Sequence, residues 1–176
     1  MSLHILDIAQ NSVSAGASEI SIEIVDSDTN NMISILVKDN GCGMDADFLR
    51  RVTDPFTTSR TTRKVGMGIP LFKLAAEMTG GTFDIKSEVG QGTDVLATFV
   101  KSNIDRPPIG DISGTIMTLI QGEPELSFVY THVTDNGRFE MRTDLFKEEL
   151  GEIPLNEPKV LLWIKEWLEE NIKGIY

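Results

Sequence analysis

The sequence predicts an α+β fold, because helical and strand-like segments alternate along the chain. Apolar residues recur at helical spacing over residues 3–15 and again over residues 71–79. Between these helices, residues 18–25 and 32–37 alternate polar and apolar side chains on either side of a polar turn, a pattern typical of an antiparallel hairpin. Residues 82–100 repeat the hairpin pattern. Helices and antiparallel hairpins in one chain are the components of an α+β domain.

The first helix is predicted to have one apolar face and one polar face. The apolar stripe consists of Leu6, Ala9 and Val13, flanked by Ile5 and Ile8. Asp7, Asn11 and Ser14 fall at positions i, i+4 and i+7, so they share a second face. An aspartate and an asparagine one turn apart suit a hydrated divalent cation, because magnesium takes oxygen ligands and keeps several waters.

A glycine-rich turn, Asp39-Asn40-Gly41-Cys42-Gly43-Met44, follows the second strand and precedes a predicted short helix at residues 45–49. Glycine lacks a Cβ and admits positive φ, so a flat ligand can lie against the main chain there. The Asp39 carboxylate can accept a hydrogen bond from an exocyclic amine such as that of adenine. The alternative, an ordinary Asp-Asn-Gly turn without a ligand, stays open at this point.

Residues 54–65 combine many hydroxyl and basic side chains with few apolar ones, which predicts a loop. Five of the eight basic residues within positions 1–100 lie between positions 50 and 64. This concentration favours a role in binding an anion, and a solvated basic loop is the alternative. Gly66 and Gly68 stand at the start of the next helix, where free N–H groups and the helix dipole favour a phosphate.

The C-terminal part begins after a predicted linker at residues 101–111, which contains two consecutive prolines. Three strand-like runs follow, at residues 115–120, 126–133 and 139–143. Asp135-Asn136-Gly137 predicts a hairpin turn, and residues 158–172 predict an amphipathic helix that packs on the sheet.

Composition limits the classes of function. The chain has 176 residues and a net charge of −11, which argues against nonspecific binding to nucleic acid or to an anionic membrane. No apolar run reaches the roughly 20 residues needed to cross a bilayer. One cysteine and two histidines cannot build an internal disulfide or a common zinc site. We expect a cytoplasmic protein.

The motifs described above, taken together and in their order along the chain, resemble those of a known ATP-binding domain. This domain is shared by sensor histidine kinases, DNA gyrase, the MutL mismatch-repair ATPases and the heat-shock chaperones of the ninety-kilodalton class. The resemblance covers about residues 3–100. Residues 7–17 resemble the asparagine box of the family, and Asp54-Pro55-Phe56 its phenylalanine box. The three glycine boxes correspond to Asp39–Met44, Gly66–Ile69 and Gly90–Thr93.

The resemblance implies a two-layer α/β sandwich of the Bergerat type, with helices on one face of a mixed sheet. Residues 1–104 would form this domain and residues 105–176 a C-terminal α/β extension. The cofactors would be ATP and Mg²⁺, with Asn11 as the metal ligand, Asp39 as the partner of the adenine amine, and Asp7 as the catalytic candidate. The nucleotide-binding residues implied are Asn11, Ala15, Asp39, Gly41, Gly43, Met44, Phe56, Arg60, Arg63, Lys64, Gly66, Met67, Gly68 and Thr93.

Two departures from the family pattern bear on activity. Branches that hydrolyse ATP carry a glutamate where this sequence has Asp7, and the shorter side chain weakens a general base. We therefore expect slow hydrolysis or none. We also expect no phosphorylatable histidine segment before the domain, and we expect His4 and His132 to be structural or exposed rather than phosphorylated.

Three functions remain open. The leading one is a Mg²⁺-ATP-binding regulatory protein that phosphorylates or controls a separate protein. Under this hypothesis we expect the chain to be an enzyme, because phosphoryl transfer needs mainly positioning and charge neutralisation. The second is a nonenzymatic nucleotide switch similar to anti-sigma binding modules. The third is a slow ATPase of the MutL type. The protein partner is unidentified, and a homodimer is also considered.

Overall fold

The computed structural model describes residues 1–53 and 68–176 of the 176-residue chain. These residues form six helices and six strands. The helices are α1 (Ser2–Ser14), α2 (Ala46–Val52), α3 (Gly68–Met78), α4 (Ile112–Gly122), α5 (Thr143–Leu150) and α6 (Pro158–Gly174). The strands are β1 (Glu19–Ser27), β2 (Met32–Asp39), β3 (Phe83–Glu88), β4 (Gly92–Val100), β5 (Ser127–Thr134) and β6 (Arg138–Arg142). None of the helices in these ranges combines the length and apolarity needed to cross a lipid bilayer.

The strands form one mixed sheet in the order β3-β4-β2-β1-β5-β6. Strands β1 and β2 pair in antiparallel fashion, as do β3 and β4, so both predicted hairpins are confirmed. The only parallel pair among the described strands joins β1 to β5. The α+β prediction is therefore confirmed.

One face of the sheet is buried beneath a layer of helices. On β1 the side chains of Ile20, Ile22 and Ile24 are fully buried, whereas the residues between them are partly exposed. This alternation is expected for a sheet that has one face on the core and one on water. Strand β5 continues the same face, because Tyr130 lies opposite Ile22 in the parallel register. Helices α1, α3, α4 and α6 supply the second layer.

Helix α1 buries a different stripe from the predicted one. Its buried residues are Ile5, Ile8, Ala9 and Ser12, whereas Leu6 and Val13 are only partly buried. The helix ends in a Schellman motif, because Gly16 adopts a φ of +73° and the Ala17 N–H donates to the Ser12 carbonyl.

The predicted strand at residues 115–120 is wrong, because these residues lie in helix α4. Its β-branched residues favour a strand locally, but Asp111 caps the N-terminus by accepting a hydrogen bond from the Gly114 N–H at 2.7 Å. Ile112, Ile116 and Leu119 then form a buried helical stripe, and α4 packs against α1 and α6. Tertiary packing decides the conformation here.

The other C-terminal elements follow the prediction more closely. Strands β5 and β6 form the expected hairpin, and helix α6 extends two residues beyond the predicted end. Helix α5 was not predicted, and it places Phe146 against Trp163 and Trp167 of α6. The domain boundary near residue 104 stays a prediction, since β5 belongs to the same sheet as the N-terminal strands.

A chain of hydrogen bonds connects the end of α6 with the sheet through His132. The Tyr130 hydroxyl lies 2.6 Å from His132 Nδ1, and His132 Nε2 lies 3.0 Å from the Tyr176 hydroxyl. Tyr176 in turn donates to Asp26 at 2.8 Å, and Asp26 pairs with Lys101. Because Tyr176 donates to Asp26, Nε2 of His132 carries a proton, and in the neutral imidazole Nδ1 then accepts from Tyr130. The hydrogen bonds are thus complete with a neutral imidazole.

This arrangement predicts a loss of stability on acidification. Burial lowers the pKa of His132 below its ordinary value, against a smaller opposing effect of Asp26. The contribution of His132 is fully present above the unfolded pKa of about 6.5 and falls as the pH drops below it, by at most about 1.4 kcal/mol per pH unit. Urea unfolding between pH 7.5 and about pH 5 measures this slope.

The matched control for that titration is His132→Gln, which keeps a neutral donor and acceptor at the position. We expect the variant to show a shallower slope than the original chain. The pKa of His4 is also lowered, by burial and by the nearby N-terminus, but His4 is present in both proteins and cancels in the comparison. Equal slopes in the two proteins would contradict the role assigned to His132.

Candidate functional site

The carboxylate of Asp39 lies at the end of β2 and is held by two hydrogen bonds. The Ser12 hydroxyl of α1 donates to Asp39 Oδ2 at 2.6 Å, and the Gly41 N–H donates to Oδ1 at 2.9 Å. Ser12 is 2% exposed, so this bond is largely shielded from water. Each carboxylate oxygen keeps a further acceptor position, so Asp39 is fixed in orientation and can still receive a donor from a ligand.

The glycine turn is fastened to the end of α1. The Cys42 N–H donates to the Ala15 carbonyl at 2.9 Å. A Cβ added at Gly41 would lie 3.0 Å from both the Cβ and the carbonyl oxygen of Ala15 and 3.1 Å from Asp39 Oδ1. A glycine at position 41 therefore avoids a side chain that would crowd the Oδ1 atom of Asp39. Ala15 at the end of α1 and Gly41 in the glycine turn are therefore in direct contact.

The other side of the turn is fastened to the β3–β4 hairpin. The Met44 N–H donates to the Ser87 hydroxyl at 2.8 Å, and this hydroxyl lies 2.9 Å from that of Thr93. Thr93 is the register partner of Asp39 on β4. The turn residue Met44 and the strand residue Thr93 therefore belong to one cluster with Asp39.

The Asn11 amide nitrogen is an unsatisfied polar group on α1, the helix that also carries Ser12. This Nδ2 atom is buried and has no hydrogen-bond partner within residues 1–53 and 68–176. Asn11 directly precedes Ser12, whose hydroxyl contacts Asp39. Buried amides without partners are rare in native proteins, because the lost hydrogen bonds cost free energy. A bound ligand with oxygen atoms would satisfy this group.

Asp7 lies one turn before Asn11, at the contact between α1 and α3. A Cβ added at Gly68, the first residue of α3, would lie 2.6 Å from the Asp7 Cβ and 3.2 Å from its Oδ2. The carboxylate therefore stands next to the N-terminal end of α3, and its side chain is exposed. Helix α1 thus carries Asp7 and Asn11 one turn apart, and its Ser12 contacts Asp39.

The sequence matches the family model for histidine kinase-, DNA gyrase B- and HSP90-like ATPases over residues 3–103. The chain belongs to this ATPase family. The match includes α1, the glycine turn, α3 and both N-terminal hairpins, so the family resemblance read from the motifs is confirmed. Membership supports ATP binding by this domain.

Sensor kinases are among the relatives. The chain is 33% identical over 103 residues to a sensor protein of Shewanella frigidimarina, covering 57% of this chain and 16% of the relative. It is 35% identical over 81 residues to a protein of Bacillus subtilis described as a C4-dicarboxylate sensor kinase, covering 46% and 14%. It is 39% identical over 80 residues to the sensor protein SrrB of Staphylococcus aureus, covering 42% and 14%. The chain thus spans only a small part of the length of these relatives.

Two solved structures illustrate the likeness in fold. The MutL ATPase domain of Aquifex aeolicus, complexed with ADP, has a TM-score of 0.50 and 18% identity, covering 85% of this chain and 66% of that one. The N-terminal domain of a DNA repair protein has a TM-score of 0.52 and 16% identity, covering 80% and 52%. At these identities the likeness shows the fold alone.

Six of the predicted nucleotide-binding residues of this ATPase domain lie outside the described residues. They are Phe56, Arg60, Arg63, Lys64, Gly66 and Met67. The eight that are described, together with Asp7, lie on α1, the glycine turn, the start of α3 and the start of β4. Their roles in binding stay predictions.

Two side chains of the cluster were missed by the sequence reasoning. Ser12 orients Asp39, and Ser87 joins the glycine turn to β4. Ser12 could have been found, because it lies at i, i+3, i+4 and i+7 spacing with the buried residues Ile5, Ile8 and Ala9. A serine on the apolar face of a helix needs a polar partner in the core.

The residues present fit a nucleotide with magnesium. The unpartnered Nδ2 of Asn11 is a hydrogen-bond donor that suits a phosphate oxygen, and the amide oxygen of the same side chain is of the type that magnesium takes as a ligand. The Gly41 position leaves Asp39 accessible to an adenine amine. Magnesium supplies charge neutralisation on the phosphates when it is bound. Asn11 is the residue that would hold it.

Proposed function

We propose that this chain is an ATP-binding, histidine-kinase-like regulatory module that uses Mg²⁺-ATP to phosphorylate a protein group outside its own 176 residues. The buried, unpartnered amide nitrogen of Asn11, on the helix whose Ser12 orients the Asp39 carboxylate, carries the proposal. The relatives named as sensor kinases support phosphoryl transfer in signalling as the reaction class. In that reaction the γ-phosphorus separates from ADP and bonds to an acceptor nucleophile, whose proton passes to solvent.

The positions of the two histidines support an acceptor outside these residues. His132 is 2% exposed, and both of its ring nitrogens face tyrosine hydroxyls. The His4 ring packs against Phe72 at a centroid distance of 5.5 Å. Neither imidazole is presented as a free nucleophile, so we place the phosphoacceptor on a separate protein or segment.

Slow ATP hydrolysis is the second candidate, and the location of Asp7 favours it. Its exposed carboxylate adjoins Gly68 at the N-terminus of α3, on the same helix as Asn11. A carboxylate there could accept a proton from an attacking water. The side chain is one methylene shorter than the glutamate of hydrolysing relatives, which limits its reach.

A labelling experiment separates these functions. The purified chain is incubated with Mg²⁺, γ-labelled ATP and a protein extract of its source cells, and label on protein and free phosphate are both measured. Transfer to a distinct protein, lost in Asp39→Asn, supports the kinase. Phosphate release that Asp7→Asn abolishes supports the ATPase. If the chain binds ATP but gives neither signal, the kinase and ATPase hypotheses are both rejected in favour of the nonenzymatic nucleotide switch.

The magnesium assignment gives a further prediction. We expect Asn11→Ala to weaken ATP affinity about ten-fold or more in the presence of Mg²⁺, and clearly less in its absence, because a lost contact to a charged group costs roughly 1.5–3 kcal/mol. Calorimetric titrations with magnesium and with a chelator measure the difference. Ser14→Ala is the control, because the Ser14 hydroxyl donates only to the Gln10 carbonyl of its own helix. Equal losses with and without magnesium would exclude the metal role.

A further inference from the structure

The face of the sheet opposite the helix layer, here called the open face, is more apolar than a face toward water requires. Its side chains alternate along each strand with the buried ones, as Val25 alternates with Ile24 on β1. Antiparallel sheets that have one face in water usually place polar residues on it. The open face instead carries seven apolar residues that are at least partly exposed. They are Val25, Met32, Leu36, Leu96, Val100, Val129 and Val133.

These apolar residues lie at the centre of the sheet. Leu36 on β2 is the register partner of Leu96 on β4, and Val25 on β1 is the register partner of Val133 on β5. All seven belong to β4, β2, β1 and β5, which are the four central strands of the six. The apolar area is therefore centred between β2 and β1.

The two edge strands carry charges on the open face, and the charges of the two edges are opposite in sign. The edge at β3 has two carboxylates and one lysine, whereas the edge at β6 has two arginines and one carboxylate. These residues are Asp84, Lys86 and Glu88 on β3, and Arg138, Glu140 and Arg142 on β6. The side chains reach into solvent, with Lys86 78% and Arg138 62% exposed. The open face thus has an apolar centre between a weakly acidic and a weakly basic edge.

The open face also carries little of the net charge of the chain. Its four basic side chains nearly balance its six acidic ones, whereas the whole chain has a net charge of −11. The charged residues of its central strands are Glu19, Glu23, Lys38 and Asp94. Because like charges repel, two copies of so acidic a chain meet with less repulsion through this face than through the rest of their surface.

A second copy of the chain matches this layout. A two-fold interface brings the same surface of both copies together, so it must be complementary to itself. With the axis in the interface and parallel to β1 and β2, apolar centre meets apolar centre, and the β3 edge of each copy faces the β6 edge of the other. Glu23 on β1 then faces strand β2 of the other copy, which carries Lys38. We propose that two copies of this chain pair through their open faces about this axis.

The twist of the sheets improves the match of charges at the edges. Asp84 and Glu140 lie in the same register row, so they would face each other if the two sheets were exactly aligned. Packed sheets are rotated by about 30° relative to each other. At an edge strand roughly 12 Å from the axis, this rotation displaces the facing strands by about 6 Å, or two residues. Asp84 then faces Arg138 or Arg142.

The open face is large enough for a specific dimer. Strands about 4.8 Å apart, of which the four central ones have eight or nine residues, make a face of roughly 600 Å² per copy. Two copies would bury about 1,200 Å², the lower end of the range for specific interfaces. Asp39 lies on the helix side of the sheet, where Ser12 contacts it, so the nucleotide cluster stays outside the interface. The dimer is therefore independent of the proposed kinase function.

The test is sedimentation equilibrium of the purified chain without nucleotide, from about 1 to 300 µM. A monomer has a mass of 19.5 kDa, and a dimer has twice that mass. Val133→Glu places a carboxylate on the apolar centre, and in the monomer this carboxylate adjoins Arg138, the register partner on β6. Leu162→Glu is the matched control, because Leu162 is 56% exposed on α6, in the helix layer. Circular dichroism establishes that the variants are folded.

Two charge variants test the direction of the axis. Asp84→Lys makes both edges of the open face basic, and Arg138→Glu makes both edges acidic. Each variant alone should therefore associate more weakly than the original chain. In an equal mixture, each edge of one variant faces an edge of opposite charge on the other, so association should be restored.

We expect a dimer with a Kd in the micromolar range, an at least ten-fold higher Kd in Val133→Glu and an unchanged Kd in Leu162→Glu. A chain that stays monomeric up to about 300 µM would overturn the proposal and leave the open face to a different protein. A dimer that Val133→Glu leaves intact, or that Leu162→Glu weakens equally, would also overturn it. A mixture of the charge variants that associates no better than either one alone would overturn the two-fold arrangement.

Discussion

Replacement of Asp39 by asparagine is expected to weaken ATP binding about ten-fold or more. The substitution removes a carboxylate acceptor and leaves the adenine amine poorly paired, at a cost of roughly 1–3 kcal/mol. The fold should survive, because an asparagine oxygen can still accept the hydrogen bond from Ser12 or from the Gly41 N–H. The loss should therefore appear in nucleotide affinity rather than in the melting temperature.

The matched control is Asp94→Asn on the neighbouring strand β4. Asp94 forms an exposed ion pair with Lys38 at 3.1 Å, and such pairs contribute about 0–1 kcal/mol. Both variants remove one negative charge near the same sheet edge, so a general electrostatic effect on ATP would be equal in the two. Calorimetry with each variant measures the difference. An unchanged Kd in Asp39→Asn would remove the adenine assignment, whatever Asp94→Asn shows.

The parts of the fold that were predictable are those with strong local signals. The alternation of polar and apolar residues on β1 and β2 indicated the first hairpin, and Asp39 was placed at a strand end because the apolar alternation stops there. Motif spacing also brought Asn11 and the glycine turn together, although they are far apart in sequence. These predictions succeed because each depends on a pattern within one helix or strand, or on motifs that follow one another in a fixed order.

The errors arose where tertiary contacts outweigh local preference. The β-branched residues of α4 suggested a strand, but the helix forms because one of its faces packs on α1 and α6. Helix α5 begins at Thr143, whose side chain accepts from the Phe128 N–H across the sheet. That bond cannot be read from residues 143–150 alone. The role of Ser12 depends in the same way on a partner 27 positions away.

The close approach at Gly43 leads to the second large expected effect. Gly43 adopts a φ of +65°, and a Cβ added there would lie 2.0 Å from the carbonyl oxygen of Glu88 on the β3–β4 hairpin. The obstacle is main chain at the end of a strand, so a rotamer change cannot relieve it. Alanine would have to push the glycine turn away from the hairpin. The Met44–Ser87 bond, which connects the turn to the Thr93 side of the cluster, would be stretched with it.

Gly151→Ala, at the end of α5, separates this steric effect from backbone strain. Gly151 has a φ of +61°, but a Cβ there would meet nothing within 4 Å. Each alanine should lose about 1–2 kcal/mol of unfolding free energy from the left-handed conformation, and Gly43→Ala should lose about 1–3 kcal/mol more from overpacking. Urea unfolding and ATP titration together test this. Only Gly43→Ala should also weaken ATP binding, because its displaced turn includes the residues that adjoin Asp39. Equal ATP affinities in the two variants would mean that the turn can move without disturbing the site. The contact between the turn and the hairpin would then have no part in nucleotide binding.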